Sequence, residues 1–282
     1  MEKVTIRSAT TRDRQQLANL IHFEAHVHRH LDWRPPLDWV GYHPYLVAER
    51  GQRLLAALAC PPDPDTIAWI RLFASSAEFS VGQAWSHLWP VVLEELVVNH
   101  DQIEIAAIPL QGWFRVLLEG SKFIRTHEVV VLAWSQEHLP PIRRQPPVVI
   151  RAMRQDDLAA VLEIDSAAFE RVWHNSLSGL ETAYNQAAIA TVAEGPDGLV
   201  GYQISTATSM GGHLARLAVN PAYQDQGIGY ALVYDVLRQF HQRGAQNVTV
   251  NTQKENRVSL ALYRRAGFKP MGEEYPVYQY FP

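Results

Sequence analysis

The chain has a single cysteine, Cys60, among 282 residues. That excludes an intrachain disulfide, a C-x-x-C redox pair and a cage of thiolates around a metal. Long apolar runs are missing as well. No stretch reaches the ~18 residues of a membrane-crossing helix, and the opening MEKVTIRSAT holds no apolar signal core. A cytoplasmic protein is the expectation. Neither sign of charge dominates, since 25 Lys and Arg stand against 29 Asp and Glu for a formal net charge of -4. The two signs are interspersed, so nucleic acid has no basic patch to bind and a membrane surface no basic amphipathic segment. What is present suits a globular chain: 47% hydrophobic and 19% charged residues. The length allows one large domain or two of about 140 residues.

An internal repeat favours two. VTIRSATTRD (residues 4–13) is echoed by VVIRAMRQDD (148–157), each a β-rich run, then polar residues, then a helical pattern. The halves also end alike, in WFRVLLEGSKFIRTHEVVVLAW (113–134) and ALYRRAGFKPMGEEYPVYQYF (261–281). Ile6 matches Ile150 and Gly120 matches Gly267 at a nearly constant offset, too long for a solenoid and fitting a duplicated domain. Two Pro-Pro pairs in SQEHLPPIRRQPPV predict a stiff connector over residues 138–147. The expected domains are 1–137 and 146–282.

The second half alternates strand and helix. A strand at 148–151 precedes a helix over 156–169 with Asp156 or Asp157 as cap, and a weaker helix spans 177–186. Two antiparallel strands meet at Gly195-Pro196-Asp197-Gly198, and HLARLAVNP holds a buried-type strand. Ile228, Leu232, Val236 and Phe240 stripe the helix after Gly227. NVTVNT is a strand, and RVSLALYRRAGF is a helix stopped by Gly267. The fold class is mixed α/β, with a mainly antiparallel sheet flanked by helices in each half.

The glycine pair Gly227 and Gly229 opens that long helix, where glycine weakens the structure. Either the pair serves a turn, or it lets phosphate oxygens approach the unpaired amides and the positive end of the helix dipole. The dinucleotide fingerprint G-x-G-x-x-G is excluded because Leu232 stands at the third glycine, and no G-K-[ST] follows.

With its surroundings, the stretch becomes specific. Gln224-Asp225-Gln226-Gly227-Ile228-Gly229 resembles the Q/R-x-x-G-x-G/A motif of the GNAT superfamily of acyl-CoA-dependent N-acetyltransferases. The preceding strand LARLAV, the NPAYQ turn, the asparagine of NTQKEN and the ending LALYRRAGFKP stand where that family has them. The resemblance covers about residues 148–282. It implies acetyl-CoA as cosubstrate, with no metal, and an N-acetyltransferase acting on a primary amine of a small molecule or peptide. A non-catalytic acyl-CoA sensor is the alternative. It places Gln224, Asp225, Gln226, Gly227, Ile228 and Gly229 at the coenzyme's pyrophosphate, and Leu217, Ala218 and Val219 along the pantetheine arm. It also gives Asn256 a contact with the cofactor and makes Tyr263 the donor of a proton to the departing thiolate. A phenol with an ordinary pKa near 10 can do this without first losing its own proton. In relatives acting on protein N-termini, a glutamate on the strand before the asparagine is the base; Asn251 holds that position here, and an amide accepts no proton. His213 is then the first candidate base and Glu170 the second, with Glu163 and His174 behind them. A monomer or homodimer is expected.

Carrying the motif back by the repeat offset lands Gly227 on Gly82 and Gly229 on Ala84. Phe79 replaces Gln224, Pro90 is expected to interrupt the helix, and the tyrosine position falls among Val116, Leu117 and Leu118. The first half therefore resembles a degenerate copy, a scaffold or an acceptor-site wall. Its histidines His22, His26, His28 and His30, with Glu24, suggest a solvated or substrate-facing helix. His22 and His26 have metal-ligand spacing there. These histidines, with Trp33 and Trp39, are candidates for lining the acceptor cleft.

Overall fold

A computed structural model of the chain describes residues 3–135, 138–139, 141, 146–208 and 211–282. It divides into two compact units, one of Met1–Thr126 with Pro276–Pro282 and one of His127–Tyr275. Half of the proline-rich connector expected at 138–147 falls outside the described residues. Among the described residues no helix is long and apolar enough to cross a membrane.

The first unit contains β1 (Thr5–Ser8), α1 (Arg14–Phe23), β2 (His26–Arg29), β3 (Tyr45–Arg50), β4 (Arg53–Ala59), β5 (Ile67–Trp69) and β6 (Leu72–Ser75). It continues with α2 (Val81–Asn99), β7 (Glu104–Ala107), α3 (Gly112–Gly120) and the start of β8 (Ile124–Trp134). β1, β3, β4, β6 and β2 form an antiparallel sheet in that order. β5 runs parallel to β7, whose other partner is the tail of the last strand, Tyr278 opposite Ala107 and Tyr280 opposite Ile105. Its core packs α2 and α3 against the sheet, through Phe73, Trp85, Leu88, Phe114 and Tyr278. α2 does not break at Pro90 as its sequence suggested. One proline removes a single helical hydrogen bond, and the stripe Trp85, Leu88, Trp89, Val92 and Leu96 is buried on both sides of it.

The second unit takes residues 127–134 of β8 and adds β9 (Val149–Ala152), α4 (Leu158–Ala168), α5 (Leu177–Gln186), β10 (Ile189–Gly195), β11 (Gly198–Ala207) and β12 (Gly211–Val219). α6 (Ile228–Gln242), β13 (Asn247–Gln253), α7 (Arg257–Arg265) and most of β14 (Lys269–Tyr280) complete it. The sheet order is β8-β13-β12-β11-β10-β9, antiparallel except for the pair β12 and β13. β10 and β11 turn at Gly195 and Gly198, where the sequence placed a hairpin.

The repeat has a side-chain counterpart. Arg7 donates to Asp13 at 2.8 Å and to Glu49 at 2.7 Å, and Arg151 donates to Asp157 at 2.7 Å and to Glu194 at 2.6 Å. In each unit one arginine ties the first strand to the start of the first helix and to a later strand. Asp157 stands at the N-cap of α4 without bonding its first turn; its carboxylate accepts from the Arg154 amide at 2.7 Å.

Candidate active site

β12 carries the site because it keeps one partner and loses the other. Toward β11 it is paired along its length, from Ala207 opposite Gly212 to Gly201 opposite Val219. Toward β13 the parallel ladder runs only from Gly211 opposite Asn247 to Leu214 opposite Val250. β13 continues to Gln253 against β8, so the two parallel strands part after Leu214 and Val250. At that point the β11 ladder steps from Ser205–Leu214 to Ile204–Arg216, leaving Ala215 as a bulge. Residues 215–219 thus present an open strand edge, which can pair with an extended ligand carrying amides.

β12 leads into the glycine motif. Asn220 accepts from the Ala222 amide at 3.0 Å, and Gln224 Nε2 donates to the Val219 carbonyl at 3.1 Å, shaping the turn. Gln224, Asp225 and Gln226 are exposed. Asp225 and Gly227 both have left-handed backbones, at φ 60° and 86°. Gly227 is the N-cap of α6 and offers no side chain to the first-turn amides, and a Cβ there would meet nothing within 4 Å. Gly229 differs: its Cβ would lie 3.3 Å from Leu262 Cδ2. Ile228 is buried beside Val219 and Leu232, so its side chain serves packing. Open donors, the positive helix end and a bare backbone fit a pyrophosphate.

Tyr263 on α7 is 4% exposed and clusters with Leu214 and Val250, the last pair before the strands part. Its ring packs on Phe268. Its hydroxyl has no hydrogen-bond partner among the described residues, and burial raises its pKa, keeping the phenol protonated. Asn256 caps α7, its side-chain oxygen accepting from the Ser259 amide at 2.9 Å and leaving the NH2 group for a ligand.

Leu214 and Val250 face the α6 and α7 side, so His213, Thr249 and Asn251 alternate to the opposite face. His213 Nδ1 lies 2.9 Å from Thr249 Oγ1, and burial lowers the ring's pKa, favouring a neutral imidazole near pH 7. Glu170 is exposed, with its carboxylate 3.9 Å from His127 Nε2. His174 is engaged with the Phe169 carbonyl at 2.9 Å, and Glu163 is exposed on α4. Two features were missed in the sequence, the bulge at Ala215 and the pairing of Arg216 with the buried Asp165. A lone arginine inside LARLAV and a lone aspartate inside VLEIDSAAF were their visible signals.

The first unit repeats this scaffold with the opening closed. β5 pairs with β7 as far as Trp69 opposite Ala106, and beyond Arg71 the chain leaves that partner, as β12 leaves β13. β6 then pairs with β4 on one edge and with β2 on the other, His26 opposite Ser75 and Arg29 opposite Leu72. β2 therefore covers the edge that 216–219 leaves open. The helix start is closed too, because Ser80 at the N-cap of α2 accepts from the Gln83 amide at 3.3 Å. Gly82 lies inside the helix rather than at its cap, so the structural counterpart of Gly227 is Ser80. The histidines correct the expected helix: His26 and His28 lie on β2, and His28 is buried and stacked on Phe114 at 4.1 Å. His22 and His26 share no helix face, and among the described residues no cluster of His, Cys, Asp or Glu could hold a metal ion.

The site thus joins a parted parallel strand pair to a glycine-capped helix, with a buried tyrosine beside the parting. Residues 158–268, which lie within the second unit, match the Acetyltransferase (GNAT) family. A Bacillus subtilis (strain 168) protein, named provisionally as a ribosomal protein bS18-alanine N-acetyltransferase, is 24% identical over 123 residues; these cover 44% of this chain and 82% of that protein. The mycothiol acetyltransferase of Nocardioides sp. (strain ATCC BAA-499 / JS614) is 25% identical over 199 residues, 58% of this chain and 66% of that one. The solved tandem GNAT protein from the clavulanic acid biosynthesis pathway shares the fold at a TM-score of 0.66 and 15% identity, covering 100% of this chain and 98% of its own.

Proposed function

We propose that the second unit transfers an acetyl group from acetyl-CoA to a primary amine by direct attack on the thioester. The observation that carries this is the parting of β12 from β13 immediately before an α6 N-terminus capped by Gly227 alone. In this reading the backbone of Leu217, Ala218 and Val219 pairs with the pantetheine arm. The amides of Gln226, Gly227, Ile228 and Gly229 hold the pyrophosphate, bounded by Gln224 and Asp225, and the free NH2 of Asn256 meets the coenzyme. Acetyl-CoA supplies an activated carbonyl carbon. A backbone donor of β12 steadies the oxyanion that forms when the amine nitrogen bonds to that carbon. His213 accepts the proton shed by the amine, with Glu170 as the second candidate. Tyr263 gives its proton to sulfur as the C–S bond breaks. The names of the relatives frame the acceptor as a peptide N-terminus or a small-molecule amine.

Tyr263→Phe tests this. Its hydroxyl has no partner among the described residues, so the melting temperature and acetyl-CoA affinity should hold. Thiol release, measured across alanine-starting peptides and small primary amines, should fall about a hundredfold. Undiminished turnover would remove Tyr263 from the mechanism. Acetyl-CoA binding with no turnover on any amine would favour the non-catalytic sensor instead.

A further inference from the structure

Arg216 follows the bulged Ala215 on β12 and faces the side away from α6. Its Nε donates to Asp165 Oδ1 and its Nη2 to Asp165 Oδ2, both at 2.8 Å. Nη2 also donates to the Trp173 carbonyl at 2.6 Å, and the guanidinium lies 3.6 Å from the centre of the Phe169 ring. The Asn175 side chain, turned with its oxygen inward, accepts from Nε and Nη2 at 3.1 Å. Asp165, on α4, is fully buried; it also accepts from the Tyr202 hydroxyl and, at 3.3 Å, from the Asn175 amide. Burial opposes the guanidinium's charge, but the Asp165 carboxylate outweighs it and the group stays ionised.

Burying such a pair brings little net stability, and an apolar pair of similar volume would serve a core as well. What the pair does provide is geometry. One planar cation fixes three segments at once: the bulge of β12, α4, and the loop 169–175 that follows α4. We propose that Arg216 is a positioning residue. It locks the loop 169–175, which carries Glu170 and Trp173, to the bulge of β12 at the point where β12 parts from β13. This rests on the acyl-transfer reading only where turnover is measured; the mechanical coupling does not.

Hydrogen exchange on the ligand-free full chain tests the coupling with Arg216→Lys. An ammonium keeps the charge beside Asp165 but cannot span both of its oxygens, the Trp173 carbonyl and the Phe169 ring. Amides in 169–175 and in 214–218 should exchange about tenfold faster together, while α6 and the first unit stay as in the wild type. Phe169→Leu should show the same paired pattern more weakly. With acetyl-CoA and an amine that the wild type turns over, kcat should fall about tenfold in Arg216→Lys while KM for acetyl-CoA holds within about twofold. Loosening of only one segment, or of the whole second unit evenly, overturns the proposal. A wild type that turns over no amine overturns the acyl-transfer reading alone, since the exchange pattern is read without ligand.

Discussion

Gly227 and Gly229 look alike in the sequence, yet different forces hold them. Gly227 is glycine for its backbone, at φ 86°, with open space where a Cβ would go. Gly229 is glycine for its neighbour, since a Cβ would press Leu262 Cδ2 at 3.3 Å. Aspartate tolerates the left-handed region better than most residues and would set a negative charge beside the first-turn amides. Gly227→Asp should therefore cost at most about 1 kcal/mol in stability and weaken acetyl-CoA binding by about a hundredfold. In Gly229→Ala the gain in helix propensity, about 1 kcal/mol, offsets the contact with a flexible side-chain end, and binding should survive. Calorimetry on both variants separates the two roles. Equal losses of affinity would mean that the glycines act as one seat. The motif's position was legible in the sequence because it rests on local backbone chemistry. The sequence does not show that only one of the two glycines needs a special φ.

At the scale of elements, regular helices and hairpins were legible and the exceptional strands were not. α5 and the β10–β11 hairpin follow from periodicity and turn residues alone. β2 was missed because HVHR is a short polar run with neither period, and it becomes a strand only by pairing with β6. The bulge at Ala215 and the Arg216–Asp165 pair were hidden likewise, since both need partners far away in the chain. β2 has its own titration. His28 Nε2 donates to the Ile70 carbonyl at 3.1 Å, and burial lowers the ring's pKa to about 4 from 6.5. His30, just past the strand, is also held well below its ordinary value by burial, with Arg71 and His28 adding repulsion. Between those pH values the unfolded chain binds more protons. The stability of the neutral ring is therefore whole above about pH 6.5 and is lost as the pH falls toward 4, by about 3 kcal/mol for His28. Melting followed from pH 7 to 4 should drop more steeply in the wild type than in His28→Phe. Parallel curves would show that His28 does not carry this dependence.

For the whole molecule, the repeat predicted two similar units but not their strand membership. The first unit's sheet includes residues 276–280 and the second's includes 127–134, so the units do not coincide with the two halves of the sequence. Hydrophobic patterning cannot show this, because a strand reads the same whichever sheet it joins. The repeat also raises the question of how many coenzymes one chain binds. The edge corresponding to 216–219 is taken by β2 in the first unit, and Ser80 caps the helix where Gly227 leaves the amides open. Each closure alone would deny a coenzyme arm or pyrophosphate its backbone donors. Together they predict one acetyl-CoA per chain, and in Gly227→Asp no equivalent that binds with wild-type affinity. Calorimetric titration of the full chain reads this directly. Two equivalents per chain, or one surviving in the variant, would mean that β2 peels away from β6 to admit a ligand. Exchange at residues 72–75 would then rise on adding coenzyme, whereas an edge held by β2 keeps those amides protected with or without it.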